Sequence, residues 1–237
     1  MPAWLTRAAV PLFVSARTMR RGYPKGLATC RWALDSGGFS ELSLYGRWVT
    51  SPAAYVDEVR RWRDRLGGMD WAAIQDWMCE PFLTQKTGLD VAQHQIRTVR
   101  SFLTLTELAP EIPWAPVVQG WVLEDYLVCV EMYRLVGHDL RTFPVVGVGS
   151  VCRRQGTAEA ETILRTLSGM GLRCHAFGFK TQGLRRCADA LESADSLAWS
   201  LDARKSPRMP GCTGHRNCAN CIRWALRWRE RLLQGIP

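Results

Sequence analysis

Three aspartates, one glutamine and a run of glycines stand where short apolar segments begin or end. Asp35 lies in Leu34-Asp35-Ser36-Gly37-Gly38-Phe39, and Asp76 in Gln75-Asp76-Trp77-Met78-Cys79-Glu80-Pro81. Gln119-Gly120-Trp121 follows Pro116-Val117-Val118, and Gly147-Val148-Gly149-Ser150 precedes Arg153-Arg154. Asp195 opens the segment Asp195-Ser196-Leu197-Ala198-Trp199-Ser200. Singly, each has an ordinary explanation: an aspartate caps a helix or forms a turn, and a Gly-x-Gly pair makes a tight bend. Arg153 and Arg154 read alone as a solvated face. On successive strand ends the set converges on one face of a sheet. There it offers one carboxylate as nucleophile, another as acid or base, and amide edges for a planar heterocycle.

A second constellation lies near the C-terminus, in Cys212-Thr-Gly-His215-Arg-Asn-Cys218-Ala-Asn-Cys221. Three thiols and an imidazole at this spacing suit a tetrahedral zinc ion with a closed shell. Four protein ligands leave no open position, so the expected role is structural. Gly211 and Gly214 supply the backbone freedom of a tight knuckle. A cluster of ordinary buried thiols and an iron–sulfur site are the competing explanations.

The elements that must position these groups alternate. Trp32-Ala33-Leu34, Trp71–Ile74, Pro116–Val118, Phe143–Val146, His175–Phe177 and Ser196–Trp199 are short and nearly continuous in apolar residues, as buried parallel strands are. Helical spacing runs over Tyr55–Trp62, His94–Leu108, Leu123–Val136, Ala158–Met170 and Gly183–Leu191, and an amphipathic helix with Ile222, Leu226, Leu232 and Leu233 near one face follows Cys221. The pattern predicts an α/β fold, a (β/α)8-type TIM barrel with one or two degenerate units. A barrel over 1–200 and a small basic zinc-binding subdomain over 201–237, a knuckle and a helix, are expected. No G-x-G-x-x-G opens the first helix, which argues against a dinucleotide site.

The composition is that of a folded chain: 237 residues, 47% hydrophobic and 22% charged. The net charge is +9 and sits at the two ends. Residues 1–30 carry five basic side chains and no acid, and residues 201–237 carry eight basic and two acidic ones. Such ends attract polyanions, and Trp224 and Trp228 interleaved with arginine favour nucleic acid. Of nine cysteines, six are scattered through apolar sequence, which points to buried thiols in a reducing compartment. Arg7, Arg17, Arg20 and Arg21 interrupt the N-terminal apolar stretch, so no signal peptide is expected and a cytoplasmic location follows.

These pieces, in this order over roughly residues 30–221, resemble the tRNA-guanine transglycosylase superfamily, zinc-bearing (β/α) barrels that exchange guanine for a 7-deazaguanine in nucleic acid. Asp35-Ser36-Gly37-Gly38-Phe39, Asp76 with Cys79 and Pro81, Gln119-Gly120, Gly147-Val148-Gly149, His175-Ala-Phe-Gly178-Phe-Lys180 and the Asp195 segment carry the resemblance, together with the Cys/His cluster. The chain is much shorter than the tRNA enzymes, and its histidine ligand lies inside the cysteine cluster. The segment around Asp195 departs from the family's nucleophile motif, which leaves Asp202 as the other aspartate for that role. The compact form is more similar to the DNA-directed branch, the deazapurine DNA-modification transglycosylases of phages and bacteria.

The resemblance implies Asp195 as nucleophile and Asp35 as acid–base. It implies a base pocket from Ser36, Gly37, Asp76, Gln119, Gly120, Gly147, Gly149 and Ser150, and phosphate contacts from Arg153, Arg154, Lys180 and Arg204. Cys212, His215, Cys218 and Cys221 would bind structural Zn2+. The implied partners are DNA and a free 7-deazaguanine base. A tRNA substrate, a non-catalytic nucleic-acid-binding barrel and a small-molecule hydrolase or lyase are the alternatives. Asp35 and Asp195 together argue against the second, and the basic ends against the third.

Overall fold

Strands alternate with helices along most of the chain in the computed structural model, which describes residues 2–236. The first half contains β1 (Leu12–Ser15), α1 (Ala16–Arg20), β2 (Trp32–Asp35), α2 (Gly38–Tyr45), α3 (Pro52–Leu66), β3 (Met69–Ala73), α4 (Pro81–Thr87), α5 (Val91–Leu108) and β4 (Trp114–Ala115). The second contains β5 (Val117–Val118), α6 (Leu123–Leu135), β6 (Val146–Val148), α7 (Ala158–Gly169), β7 (Cys174–Ala176), α8 (Thr181–Cys187), β8 (Ser193–Ala194), α9 (Ala198–Lys205) and α10 (Ile222–Gln234). Among the described residues no helix is long and apolar enough to cross a membrane.

The strands form two four-stranded parallel sheets, ordered β1-β2-β3-β4 and β5-β6-β7-β8. Pro116 separates β4 from β5, because proline has no N–H to give to a ladder. The backbone bonds continue on both sides of it. Ala72 N donates to Pro113 O at 3.1 Å, and Gly147 N donates to Pro116 O at 2.8 Å. One segment therefore bonds β3 with its first half and β6 with its second. Side chains also join the sheets: the Phe13 ring of β1 lies 4.9 Å from His175 of β7.

Helices cover the strands because their apolar faces have nowhere else to go. α3 buries Tyr55, Val56, Val59, Trp62 and Leu66, one stripe at helical spacing. Ser51 caps it by accepting from Ala54 N at 3.2 Å, and Pro52 starts it. α5 opens with a capping box between Asp90 and Gln93. A separate apolar cluster holds the C-terminal region. Trp199, Ala203, Cys212, Cys218 and Trp224 pack together, with Trp4, Met209, Cys221, Ala225 and Trp228 against them.

Several segments differ from the sequence expectation. Ser196–Trp199 is not a strand: β8 ends at Ala194, and Ala198 begins α9, whose Trp199 and Ala203 are one turn apart and buried. Asp195 therefore follows a strand instead of opening one. β6 starts at Val146, after Phe143-Pro144-Val145. β1 and the short helices α2 and α4 escape the pattern, being four to eight residues long. In α10 the most buried side chain is Trp224, while Leu226 and Leu233 are 37% and 48% exposed. Trp224 is buried in the cluster around Trp199, and Trp228 packs against it half-buried.

Candidate active site

Every strand followed by a candidate residue ends on the same side. Ser15 pairs with Asp35 in the parallel register of β1 and β2, Asp76 lies just past β3, Gln119 follows β5, Gly149 and Ser150 follow β6, and Asp195 follows β8. The carboxyl ends of parallel strands are where α/β folds place ligands. A cavity of about 910 Å³ opens there, lined among others by Asp35, Phe39, Asp76, Glu80, Ser150, Phe177 and Asp195.

Two half-buried carboxylates of this cavity each accept from a glycine N–H. Asp35 accepts from Gly37 N at 3.1 Å. Burial raises its pKa; the Gly37 amide and the Ser15 hydroxyl oppose that rise, and the Asp195 charge adds to it. Gly37 turns with φ +81°, a conformation that glycine adopts without strain. Asp195 accepts from Gly178 N at 2.7 Å, and His175 Nε2 lies 3.4 Å from the same oxygen, Oδ1.

The cavity floor is a chain of buried polar groups. Ser36 Oγ donates to Asp76 Oδ1 at 3.4 Å, Gln119 Nε2 donates to Asp76 Oδ2 at 2.6 Å, and Ser150 Oγ lies 2.8 Å from Gln119 Oε1 and 3.0 Å from Glu80 Oε2. Ser150 also accepts from Cys79 N at 2.8 Å. Ser150 Oγ is placed to donate to either Gln119 or Glu80, and its one hydrogen serves one of them at a time. Burial raises the pKa of the Glu80 carboxyl, against the Ser150 hydrogen bond and the charges of Arg153 and Arg154. Burial, with the Asp35 charge behind it, pushes Asp76 up to about 7, against the Gln119 hydrogen bond. Ser150 holds its place at φ +56°, the left-handed region, so strain is stored beside the cavity.

The glycines act through what passes over them. A Cβ at Gly149 would stand 2.1 Å from Gln119 Nε2, one at Gly147 would meet the Phe177 ring at 2.6 Å, and one at Gly120 would meet Asp125 Cβ at 2.7 Å. The two arginines after β6 part company. Arg153 is exposed, with its guanidinium 4.5 Å from the Phe82 ring centroid and 5.7 Å from that of Phe39. Arg154 is buried, 4.3 Å from the Trp121 ring centroid and 3.1 Å from a Glu159 oxygen. Lys180 and Arg204 are exposed and outside the cavity lining.

Glu80, His175 and Ser15 join the site without having stood out as candidates. Glu80 sits between apolar Trp77-Met78-Cys79 and Pro81, at the start of α4, where it is buried without its side chain capping the helix. His175 is followed by Ala176 and Phe177, which marks a core strand and hides the use of its ring.

The ligand atoms of Cys212, His215, Cys218 and Cys221 lie within 4.8 Å of one another, so the four can hold a metal ion. Cys212 Sγ and Cys221 Sγ are 3.9 Å apart. Two thiolates on one tetrahedral ion, with bonds of about 2.3 Å, would be about 3.8 Å apart. The other cysteines are free, and burial pushes Cys129 and Cys174 up to about 12, which leaves them inert as thiols.

Parallel strands with acids, an amide and a glycine turn gathered at their carboxyl ends define an α/β protein with a polar cavity at that end. The chain belongs to the DpdA family, DeoxyPurine in DNA protein A, which matches it over residues 1–237. Membership supports a role in the deazapurine modification of DNA, by a transglycosylase-type enzyme. None of the curated protein sequences compared with the chain matches it.

Proposed function

We propose that the protein is a guanine transglycosylase that replaces guanine in DNA by a 7-deazaguanine through a covalent glycosyl-enzyme. The observation that carries this reading is the pair Asp35 and Asp195, which face one cavity from the ends of β2 and β8. In this reading the two sheets close into a (β/α) barrel over 1–200; the Phe13–His175 contact between them supports that closure. Residues 201–237 form the second unit, docked through Trp199 and Trp4.

The target guanine must leave the stack, since its glycosidic bond is out of reach in a duplex. Asp76 faces its hydrogen-bonding edge with Gln119 holding the carboxylate, and backbone N–H groups near Gly149, whose own N–H is taken by Val118 O, face its carbonyl oxygen. Asp195 attacks C1′ as the C1′–N9 bond breaks, and the bonding pair leaves with guanine, which Asp35 or water protonates. The incoming 7-deazaguanine gives its N9 proton to Asp35 and attacks C1′ from the face guanine left. The ester bond then breaks, and its electron pair returns to Asp195. Two inversions retain the configuration, as in retaining glycosidases. No electron acceptor enters the balance. Arg153, Lys180 and Arg204 supply phosphate contacts, which position the strand without reading its sequence. Cys212, His215, Cys218 and Cys221 hold Zn2+, whose contribution is to fix the C-terminal unit, with no step of the exchange passing through it.

The test is exchange of radiolabelled guanine or 7-deazaguanine into duplex DNA, single-stranded DNA and tRNA, offered separately. Label in DNA that disappears with Asp195→Ala, and falls by roughly 10²-fold or more with Asp35→Asn, is the expected result. Label in tRNA alone overturns the substrate, and exchange by Asp195→Ala overturns the nucleophile and turns attention to Asp202.

A further inference from the structure

His175 is a buried imidazole whose two nitrogens have different surroundings. Nδ1 lies 2.8 Å from Ser193 Oγ. Nε2 is buried without a hydrogen-bond partner and is 3.4 Å from Asp195 Oδ1. Three aromatic rings hold the imidazole in place: Phe13 and Trp71 have centroids 4.9 Å away, and Phe177 has its centroid 5.0 Å away. A ring clamped in this way does not swing out to accept a proton from substrate. What it can do is present one fixed nitrogen to the carboxylate beside it.

The tautomer follows from the contacts. If Nε2 carried a lone pair, it would face an anionic oxygen that has the same need for a proton. If Ser193 donates to Nδ1, the hydrogen sits on Nε2 and points at Asp195. We infer that His175 is a positioning residue for Asp195: its Nε2–H joins the Gly178 N–H on Oδ1, so that Oδ2 is the oxygen presented to C1′. This rests on the transglycosylase reading above. Among the described residues Oδ2 has no hydrogen-bond partner, while Gly178 N donates to Oδ1 at 2.7 Å and His175 Nε2 stands 3.4 Å from the same oxygen.

The arrangement favours the second half of the reaction. With the glycosyl bond on Oδ2, Oδ1 is the ester carbonyl oxygen. When the C1′–Oδ2 bond breaks, the returning charge is shared with Oδ1, where two fixed donors wait. Donors that bind the carboxylate more strongly than the ester speed the release of the enzyme.

Two substitutions separate this role from packing. His175→Phe keeps a flat ring among Phe13, Trp71 and Phe177 and removes the donor. His175→Gln removes the ring and restores an N–H near the place of Nε2. In the base-exchange assay, His175→Phe should lose roughly 10- to 100-fold in kcat, the scale of a hydrogen bond to a charged group, with the KM for base unchanged. The protein–DNA adduct should persist longer on denaturing gels. His175→Gln should recover most of that loss. Wild-type kcat in His175→Phe, or equal losses in both variants that follow their melting temperatures, overturns the inference. The 15N shifts of the imidazole in the full chain give a readout that needs no substrate. A proton on Nε2, and a shift on Asp195→Ala, support the contact even if the wild-type chain exchanges no base, in which case the transglycosylase reading fails by itself. A proton on Nδ1 in a chain that does exchange base overturns this inference and leaves that reading standing.

Discussion

The Gln119 amide donates to Asp76 Oδ2 over 2.6 Å, and this one bond fixes the orientation of both side chains at the cavity floor. With Nε2 committed to Asp76, Oε1 faces Ser150, whose hydroxyl also reaches Glu80. The glutamine lies across Gly149, where a Cβ would stand 2.1 Å from Nε2. Gly149→Ala should therefore push Gln119 off Asp76 while leaving the fold in place. The KM for the incoming base should rise roughly 10- to 100-fold, the scale of one lost hydrogen bond to a charged group. Steady-state kinetics with varied base and saturating DNA checks this, and an unchanged KM would show that the glutamine has another resting place.

Asp76 gives the site a pH dependence of known sign. Its carboxyl titrates at about 7 in the folded chain, chiefly through burial, against about 3.9 when unfolded. Between these values the native state holds a proton that the unfolded state has released. The stabilisation is therefore complete below about pH 4, declines as pH rises, and is gone above about pH 7, with a slope of up to about 1.4 kcal/mol per pH unit. Asp76→Asn should flatten the decline and melt higher than wild type at pH 8. Base binding should run the other way, since a guanine edge offers N–H donors and only the ionised carboxylate is a pure acceptor. Thermal melts and base affinity measured from pH 5 to pH 8 test both signs together.

Arg153 and Arg154 are neighbours in sequence and opposites in use. Arg153 lies exposed over Phe39 and Phe82, at the rim of the cavity. Arg154 is buried over Trp121 and near Glu159. Arg153→Ala should weaken DNA binding and reduce the salt dependence of log K by about 0.9 for duplex or about 0.7 for single strand, the weight of one phosphate contact. Arg154→Ala should lower the melting temperature and leave the salt slope alone. Binding titrations from 50 to 200 mM salt on both variants decide it; a shared loss of slope would place both guanidinium groups on phosphate.

What the sequence reveals follows the range of the interactions involved. Asp35 and Asp76 are readable because each ends a local apolar run, and the Cys212–Cys221 spacing is readable because all four ligands lie on one short loop. Glu80 is not, since its meaning depends on Ser150, seventy positions away. The strand before Asp195 is misplaced for a local reason. Ser193-Ala194 is too short to stand out, while the apolar pair Ala198-Trp199 looks like a strand and is the buried face of α9. The same ambiguity hides the role of Trp224 and Trp228, whose arginine neighbours suggest a nucleic-acid surface when helical spacing sends the tryptophans inward. The long helices need no such distant partner, because caps such as Ser51 and Asp90 are written within one turn and stripes such as Tyr55–Leu66 within about three.

A metal held by the C-terminal cluster would serve stability and not the exchange chemistry. Cys212 and Cys218 are both ligands and members of the apolar cluster with Trp199, Ala203 and Trp224. Among the described residues, besides one another, the ligands have only long side-chain hydrogen bonds: Met209 N to Cys218 Sγ at 3.4 Å, an Arg223 nitrogen to Cys212 Sγ at 3.5 Å and an Arg208 nitrogen to His215 O at 3.3 Å. Cys218→Ser should therefore lower bound zinc and melting temperature together. Loss of a structural metal ranks with the substitutions that cost more than about 4 kcal/mol. For a chain of this size that is roughly 8–16 °C. Tryptophan fluorescence should shift as well, because Trp4, Trp199, Trp224 and Trp228 share the cluster. Asp35→Asn, far from the loop, should keep both zinc and melting temperature while losing exchange. Metal analysis and thermal melts on the two variants separate the site that holds the fold from the site that does the chemistry. Full melting temperature in a zinc-free Cys218→Ser chain would show that the tryptophan cluster stands without the ion.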